Sequence, residues 1–387
     1  MKPRIAAVVT EYRRNSHADV IVSKFLEGFP TDDGRVEPEV DIVSMYMDQV
    51  SERDMGRTMA TAHGVTIYPS IPKALCQGGS DLDVDGIFLI GEHGDYAWNE
   101  KEQHLYPRKF FFEQICGTIA AAGKPIPVFS DKHLSYNWPD AKWMYDRARE
   151  LGIPFMAGSS VPLAWRSPYL EYELETDIDA AVSVAYGPTD SYGFHTLELL
   201  QCMIERRKGG ETGIASVQCF EGADVWKASS KGLFDRELAD RAIRKISNRE
   251  KGPLEDHCEN PILFLMTYRD GLKTASLLVN GYARGWAFAA RRGGEIDEME
   301  VTLPGDPHAH FSYLGLNIHS MFLTGEPRYP AERTLLVTGA LEALLDSRYQ
   351  GSRELETPHL DIVYESYTAS PIRPTGERPS GASLGEG

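Results

Sequence analysis

A chain of 387 residues is longer than one hydrophobic core normally organises, so two domains are expected. Its 42% hydrophobic and 25% charged residues are those of an ordinary globular protein rather than a disordered or fibrous one. A formal charge of −17 with no basic run or basic helix face makes the surface repel polyanions, which excludes nucleic acid and anionic membranes as partners.

Five cysteines, Cys76, Cys116, Cys202, Cys219 and Cys258, are odd in number and scattered, the pattern of buried thiols in a reducing compartment. No apolar run approaches the ~20 residues of a membrane span. The chain passes from Lys2 and Arg4 straight into a strand without an apolar signal core, so a cytoplasmic protein is expected.

The first unit reads as strand (RIAAVVT), loop (EYRRNS) and helix (HADVIVSKFLEGF), with Val20, Ile21, Phe25 and Leu26 on the packed face and Ser16 as N-cap. A helix amino terminus of this kind receives anions. The loop has no glycine, so a phosphate there would be held by Arg13, Arg14 and the helix dipole, or these arginines simply face water. The second strand, EVDIVSMYM, ends at Asp48, near where an acid meets a ribose in dinucleotide sites. A third strand, GIFLI, leads to Glu92, His93 and Asp95 between glycines. Residues 97–108 are polar and aromatic, long enough for a lid and equally readable as a surface insertion.

A helix over FFFEQICGTIAAAGK buries Phe112, Ile115, Ile119 and Ala122 and stops at Gly123, which supplies the left-handed cap. The strand after it delivers Asp131, Lys132 and His133 at its carboxyl end. A helix opened by Pro139, carrying Trp143, Met144, Ala148 and Leu151 on one face, and the strand IPFMAG follow. Such alternation builds a parallel α/β sheet, whose ligands bind beyond the carboxyl ends of the strands. Lys132 lies where chemistry is done in such folds.

Beyond Gly158 the pattern changes. SSVPLAWRSP carries Trp165 and Arg166 to the place where two domains meet. Residues 170–187 read as a strand and residues 194–207 as a helix. Residues 262–268 and 272–281 form a hairpin through Arg-Asp-Gly, and residues 285–292 and 298–303 another across Gly293 and Gly294. A helix over residues 331–347 turns Leu335, Leu341, Leu344 and Leu345 inward. The Pro-, Gly- and Ser-rich end predicts disorder over residues 366–387. His63, His257, His308, His310, His319 and His359 read as surface or satisfied core residues.

Three motifs carry a resemblance to the glucose-fructose oxidoreductase / inositol dehydrogenase (Gfo/Idh/MocA) family, in order over roughly residues 4–364. GKPIPVFSDKHLS resembles the family's GKHVLCEKPLA, with Asp131 and Lys132 on the Glu-Lys pair and His133 in place of proline. DSYGFHTLELL resembles its Asp-x-Gly-x-His-x-x-Asp helix start, with Gly193, His195 and Glu198 in register. The last helix and SRYQGSRELETP resemble its closing helix and turn. The resemblance implies an α/β fold, a Rossmann-like doubly wound parallel sheet over residues 1–160 followed by an α+β domain with an open antiparallel sheet over residues 161–365. It further implies an oxidoreductase acting on a sugar, polyol or related hydroxy compound, assembled as a homo-oligomer through the outer face of the second sheet. Lys132 and His195 would flank the carbon that loses hydride, with Asp190 orienting the imidazole. NAD or NADP would be held by Thr10, Arg13, Asn15, Asp48, Glu92 and Asp131. Trp165, Arg166, Tyr192 and Glu198 would line the sugar pocket, although a core or interface reading is equally open for the first three.

Two features depart from that pattern. The glycine-rich phosphate loop is replaced by TEYRRNS, and Ser191 falls where the second motif has its Asp. Read without the family, His17, Glu92, His93, Asp131 and His133 converge on one sheet edge as an excess of nitrogen and oxygen ligands. They would suit a divalent metal and a non-redox lyase, hydrolase or epimerase reaction on a carbohydrate, or they are exposed loop residues.

Overall fold

The computed structural model describes residues 1–385. The amino-terminal unit runs β1 (Arg4–Val9), α1 (His17–Glu27), a small hairpin of β2 (Phe29–Thr31) and β3 (Gly34–Val36), β4 (Asp41–Met47), α2 (Gly56–His63), β5 (Thr66–Ile67), α3 (Ile71–Leu75), β6 (Gly86–Ile90), α4 (Arg108–Ala122), β7 (Val128–Asp131), α5 (Trp138–Glu150) and β8 (Phe155–Gly158). Six of its strands form a parallel sheet in the order β5-β4-β1-β6-β7-β8. Strand side chains alternate between faces. In β1, Ile5, Ala7 and Val9 therefore pack toward Ile21 and Phe25 of α1, while Ala6 and Val8 pack toward Phe111, Phe112 and Ile115 of α4. The expected local signals act here: the Ser16 hydroxyl caps α1, Asn137 caps α5, and Gly123 closes α4 at φ 63°. Strand order reverses between β1 and β6, which opens a crevice beyond their carboxyl ends.

The second unit runs β9 (Trp165–Ser167), β10 (Ala180–Ala185), α6 (Ser191–Ile204), β11 (Ile214–Glu221), α7 (Ala223–Ser230), α8 (Arg236–Lys245), β12 (Ile262–Tyr268), β13 (Lys273–Leu278), β14 (Trp286–Arg292), β15 (Glu295–Thr302), α9 (His310–Thr324), α10 (Ala331–Tyr349) and β16 (Leu355–Glu356). Its eight strands lie in the order β16-β11-β12-β13-β10-β14-β15-β9. Both expected hairpins form. The sheet is mixed rather than wholly antiparallel, because β10 pairs parallel to β13.

Three expectations are corrected. The strand read over residues 170–187 is confined to Ala180–Ala185, the part without the charged run that precedes it. The domain boundary at residue 160 is crossed again: α9 returns to the first core, where Leu314, Ile318, Met321 and Phe322 join Phe25 and Phe88. The outer face of the second sheet is not free for an oligomer contact, since α7 and α8 cover it with Val225, Leu238, Ala242 and Ile243. That leaves the expected homo-oligomer without the surface assigned to it.

The carboxyl-terminal segment is ordered through residue 385 because distant elements supply partners that composition does not reveal. Asn317 of α9 exchanges two hydrogen bonds with the Ile372 backbone, Arg373 and Tyr367 meet Glu171, and the Ser380 amide donates to Asp32. Residues 386–387 of the expected disordered tail lie outside the described residues. Among the described residues no helix is long and apolar enough to cross a membrane. All five cysteines are buried free thiols.

Candidate active site

Two residues at the ends of parallel strands, His93 after β6 and Lys132 after β7, take left-handed backbone at φ 71° and 57°. For side-chain-bearing residues this strain costs about 1–3 kcal/mol each and collects at functional sites. The Lys132 amide is fixed by the Gly158 carbonyl at 3.0 Å. Its ammonium, 2% exposed as a side chain, lies 2.9 Å from one oxygen of Glu92. The other oxygen of Glu92 accepts from the wholly buried guanidinium of Arg108, which also reaches His133 Nε2 at 3.1 Å. Burial opposes ionisation of Glu92, but Lys132 and Arg108 outweigh it and hold the carboxyl well below its usual range. The result is a fixed charge triad at the crevice floor.

Histidines surround it. His17, the first residue of α1, places Nδ1 2.6 Å from Asp131 Oδ2, and its backbone amide donates to His93 Nδ1 at 3.3 Å. His195 enters from the first turn of α6, edge-on to Trp286 with ring centroids 5.8 Å apart. Its Nδ1 has no partner. His17, His93, Lys132, Tyr192, His195 and Trp286 line one cavity of about 530 Å³, closed on the far side by His308, His310 and Phe311. Burial, and then the His17 charge, lowers His93 to about 3. Burial, and then Lys132, holds His195 well below its usual value. These two imidazoles are therefore neutral near pH 7 and able to accept a proton. The cavity combines neutral ring nitrogens with the Lys132 ammonium, the Glu92 and Glu300 carboxylates and the Arg284 guanidinium.

The other expected site residues divide clearly. Thr10 is buried and donates its hydroxyl to the Glu92 carbonyl at 2.7 Å, Arg13 is paired with Glu11, and Asn15 lies on the cavity rim. Tyr192 lines the cavity, stacked 5.5 Å from Trp286. Three residues assigned to a sugar pocket are elsewhere. Trp165 is fully buried and donates to Asp32, and Arg166 is spent on Glu171 and the Leu170 and Pro162 carbonyls. Glu198 is buried against Ser159. Asp190 does not orient His195: one oxygen accepts from the His104 amide at 3.2 Å and the other has no partner.

Sequence reading missed Arg108, Trp286, His308 and His310. The pair in PHAH, which follows the last strand of the second sheet, was the available signal for the two histidines.

The metal expectation is corrected. Among the described residues no group of three or more His, Cys, Asp or Glu is arranged to hold an ion. The ligands are committed to one another: His17 to Asp131, Glu92 to two cations, and His133 to a guanidinium that repels cations.

A nicotinamide dinucleotide would meet two different ends of this crevice. At the reacting end the residues fit, since His195, whose Nδ1 has no partner, and Lys132 line the same cavity. At the other end the protein supplies its own substitutes. The Ser16 hydroxyl accepts from the Asp19 amide, and the Asp19 carboxylate accepts from the Asn15 amide at 2.8 Å, at the helix terminus where a phosphate is usually held. The exposed Asp48 carboxylate accepts from the Tyr46 and Tyr96 hydroxyls, each at 2.7 Å, where it would meet a ribose.

A Rossmann-like domain joined to a mixed-sheet domain, with ionisable groups in the crevice between them, defines a two-domain α/β fold. Solved structures share it. GenD2 from gentamicin A biosynthesis, in complex with NAD, is 14% identical with a TM-score of 0.58, covering 92% of this chain and 96% of that one. The myo-inositol dehydrogenase of Lactobacillus casei, with NAD(H) and myo-inositol, is 10% identical with a TM-score of 0.57, covering 92% and 97%. A myo-inositol dehydrogenase of Corynebacterium glutamicum is 12% identical with a TM-score of 0.55, covering 92% and 99%. The chain thus has the fold of the glucose-fructose oxidoreductase / inositol dehydrogenase family. No family model and no curated protein matches the sequence.

Proposed function

We propose that the protein is an oxidoreductase acting on a sugar, polyol or related hydroxy compound, with Lys132 and His195 as its proton-transfer pair. The observation that carries this reading is the meeting of the Lys132 ammonium and the unpartnered His195 imidazole in one cavity. Oxidising a secondary alcohol requires a base for the hydroxyl proton and a positive charge for the developing alkoxide. The His195 imidazole, held neutral by burial and by Lys132, accepts the proton. Lys132, anchored by Glu92, stabilises the oxygen as charge builds on it. The His17 and Asp131 pair orients a second imidazole on the same wall.

NAD or NADP is the hydride acceptor in this reading, supported by the nicotinamide-bound structures of the same fold. Arg13 and Asn15 lie along its path, Asp48 at its ribose end, and Glu92 and Asp131 beneath its reacting end. The test is substitution: Lys132→Met and His195→Asn should each lower kcat by about 10²-fold or more, the scale of a positioned proton-transfer group. Undiminished turnover in a folded variant of either residue removes it from the mechanism.

A further inference from the structure

We propose that a second cavity beside the reacting one is a subsite for an additional neutral sugar ring, with the open face of Trp98 as its platform. The inference rests on the hydroxy-compound reading above and deepens it: the substrate is a glycoside or disaccharide rather than a single ring. The cavity encloses about 1000 Å³ and shares Glu92, His93 and Ser191 with the reacting cavity, so a ligand can occupy both.

Trp98 is 61% exposed, unusual for an indole on a cavity wall. It is held rigidly, stacked on His104 with centroids 4.1 Å apart and planes 14° from parallel, while His104 in turn leans on Tyr106 at 4.1 Å. The loop beneath is pinned where Gln103 donates to the Tyr136 carbonyl at 2.7 Å. One indole face is thus committed and the other presented, the preorganised arrangement that the C–H face of a sugar ring covers.

The floor supplies the polar half. Asp190 and His133 line this cavity, and Asp190 Oδ1 and His133 Nδ1 lie buried just behind its surface without partners. Asp190 is tied to the platform through the His104 amide. His133 Nε2 faces Arg108, which can only donate, so Nε2 accepts and the proton sits on Nδ1. Asp190 thus keeps one unused acceptor and His133 one unused donor beneath the cavity wall, and an unpaired buried polar group costs about 1–3 kcal/mol. Asn260 adds an amide to the wall, while the Asn280 amide is already exchanged with the Gly187 backbone. An anionic sugar is disfavoured, because the Arg348 guanidinium is already paired with Glu102 and Glu221.

The experiment is calorimetric titration of the full-length protein with glucose, myo-inositol, maltose and cellobiose. At least one disaccharide should bind about 10-fold more tightly than either monocyclic ligand, roughly the worth of one aromatic platform. Trp98→Ala should collapse that ratio and Trp98→Phe should keep most of it. Equal affinities for one ring and two, or a ratio untouched in Trp98→Ala, overturns the subsite while leaving the oxidoreductase reading standing. Failure of every sugar to bind overturns both. A crystal soaked with the tightest disaccharide that shows only water on Asp190 and His133 also overturns the subsite.

Discussion

At the scale of single residues, the site depends on charges that exist only as a set. Glu92 neutralises two buried cations, so Glu92→Gln leaves Lys132 and Arg108 facing each other across an amide. Breaking one partner of a buried ion pair costs about 3–5 kcal/mol. A denaturant titration of Glu92→Gln should show a loss of that size, and an unchanged midpoint would mean that water already screens the triad. Lys132 and His195 were legible in the sequence, because ionisable side chains at a strand end and at a helix start are conspicuous. Arg108 was not. It reads as the polar start of an amphipathic helix, and only the fold of Glu92 against it reveals a buried guanidinium. His308 and His310 were dismissed for a related reason: their segment reaches the site because Lys24 of α1 holds the Pro307 carbonyl, a contact across 283 positions.

At the scale of elements, the connection between β6 and α4 and the turn between β1 and α1 shape what the crevice admits. Tyr96 donates to Asp48 and thereby competes with any ribose for that carboxylate. Hydrogen bonds to charged groups are worth about 1.5–3 kcal/mol. Tyr96→Phe is expected to tighten NADH or NADPH binding by up to about tenfold, read from quenching of tryptophan fluorescence. No change in affinity would place the dinucleotide away from Asp48. The missing glycines in TEYRRNS were plain in the sequence, and so was Asp19. That Asp19 would fill the anion seat itself was not, since this depends on the left-handed turn at Asn15, φ 60°. Hairpins were legible because their turn residues are local. The helices α7, α8 and α9 were missed: α8 is short and highly charged although Leu238, Ala239, Ala242 and Ile243 share one buried face, and α9 is nearly buried all round, so it shows no apolar stripe against a polar one.

At the scale of the molecule, Glu198 reports on the joint between the two domains. It stands on α6 and accepts from the Ser159 amide and hydroxyl just beyond β8. Burial raises its carboxyl to about 7 from an ordinary 4.5, with the Ser159 hydrogen bond only partly opposing the shift. The unfolded chain releases this proton at lower pH than the folded one, so stability falls as pH rises from about 4.5 to about 7 and is level above. The contribution is on the order of 3 kcal/mol. Neutral buried imidazoles such as His93 act in the opposite sense, losing stability as pH falls below 6.5. The two effects separate in a variant: thermal unfolding of Glu198→Gln should lack the decline between about pH 5 and pH 7 that the parent protein shows. Parallel curves for the two proteins would mean that Glu198 is ionised in the fold.

The central claim is that the crevice removes hydride from a hydroxyl-bearing carbon with Lys132 and His195 moving the proton. It is tested most directly by following the absorbance of reduced nicotinamide while the purified protein meets NAD or NADP and a panel of inositols, sugars and disaccharides. The account predicts reduction with at least one of them, and a fall of about 10²-fold in both Lys132→Met and His195→Asn while circular dichroism shows the fold retained. No reduction across the panel by a folded protein that binds nicotinamide, or full activity in either variant, would contradict it.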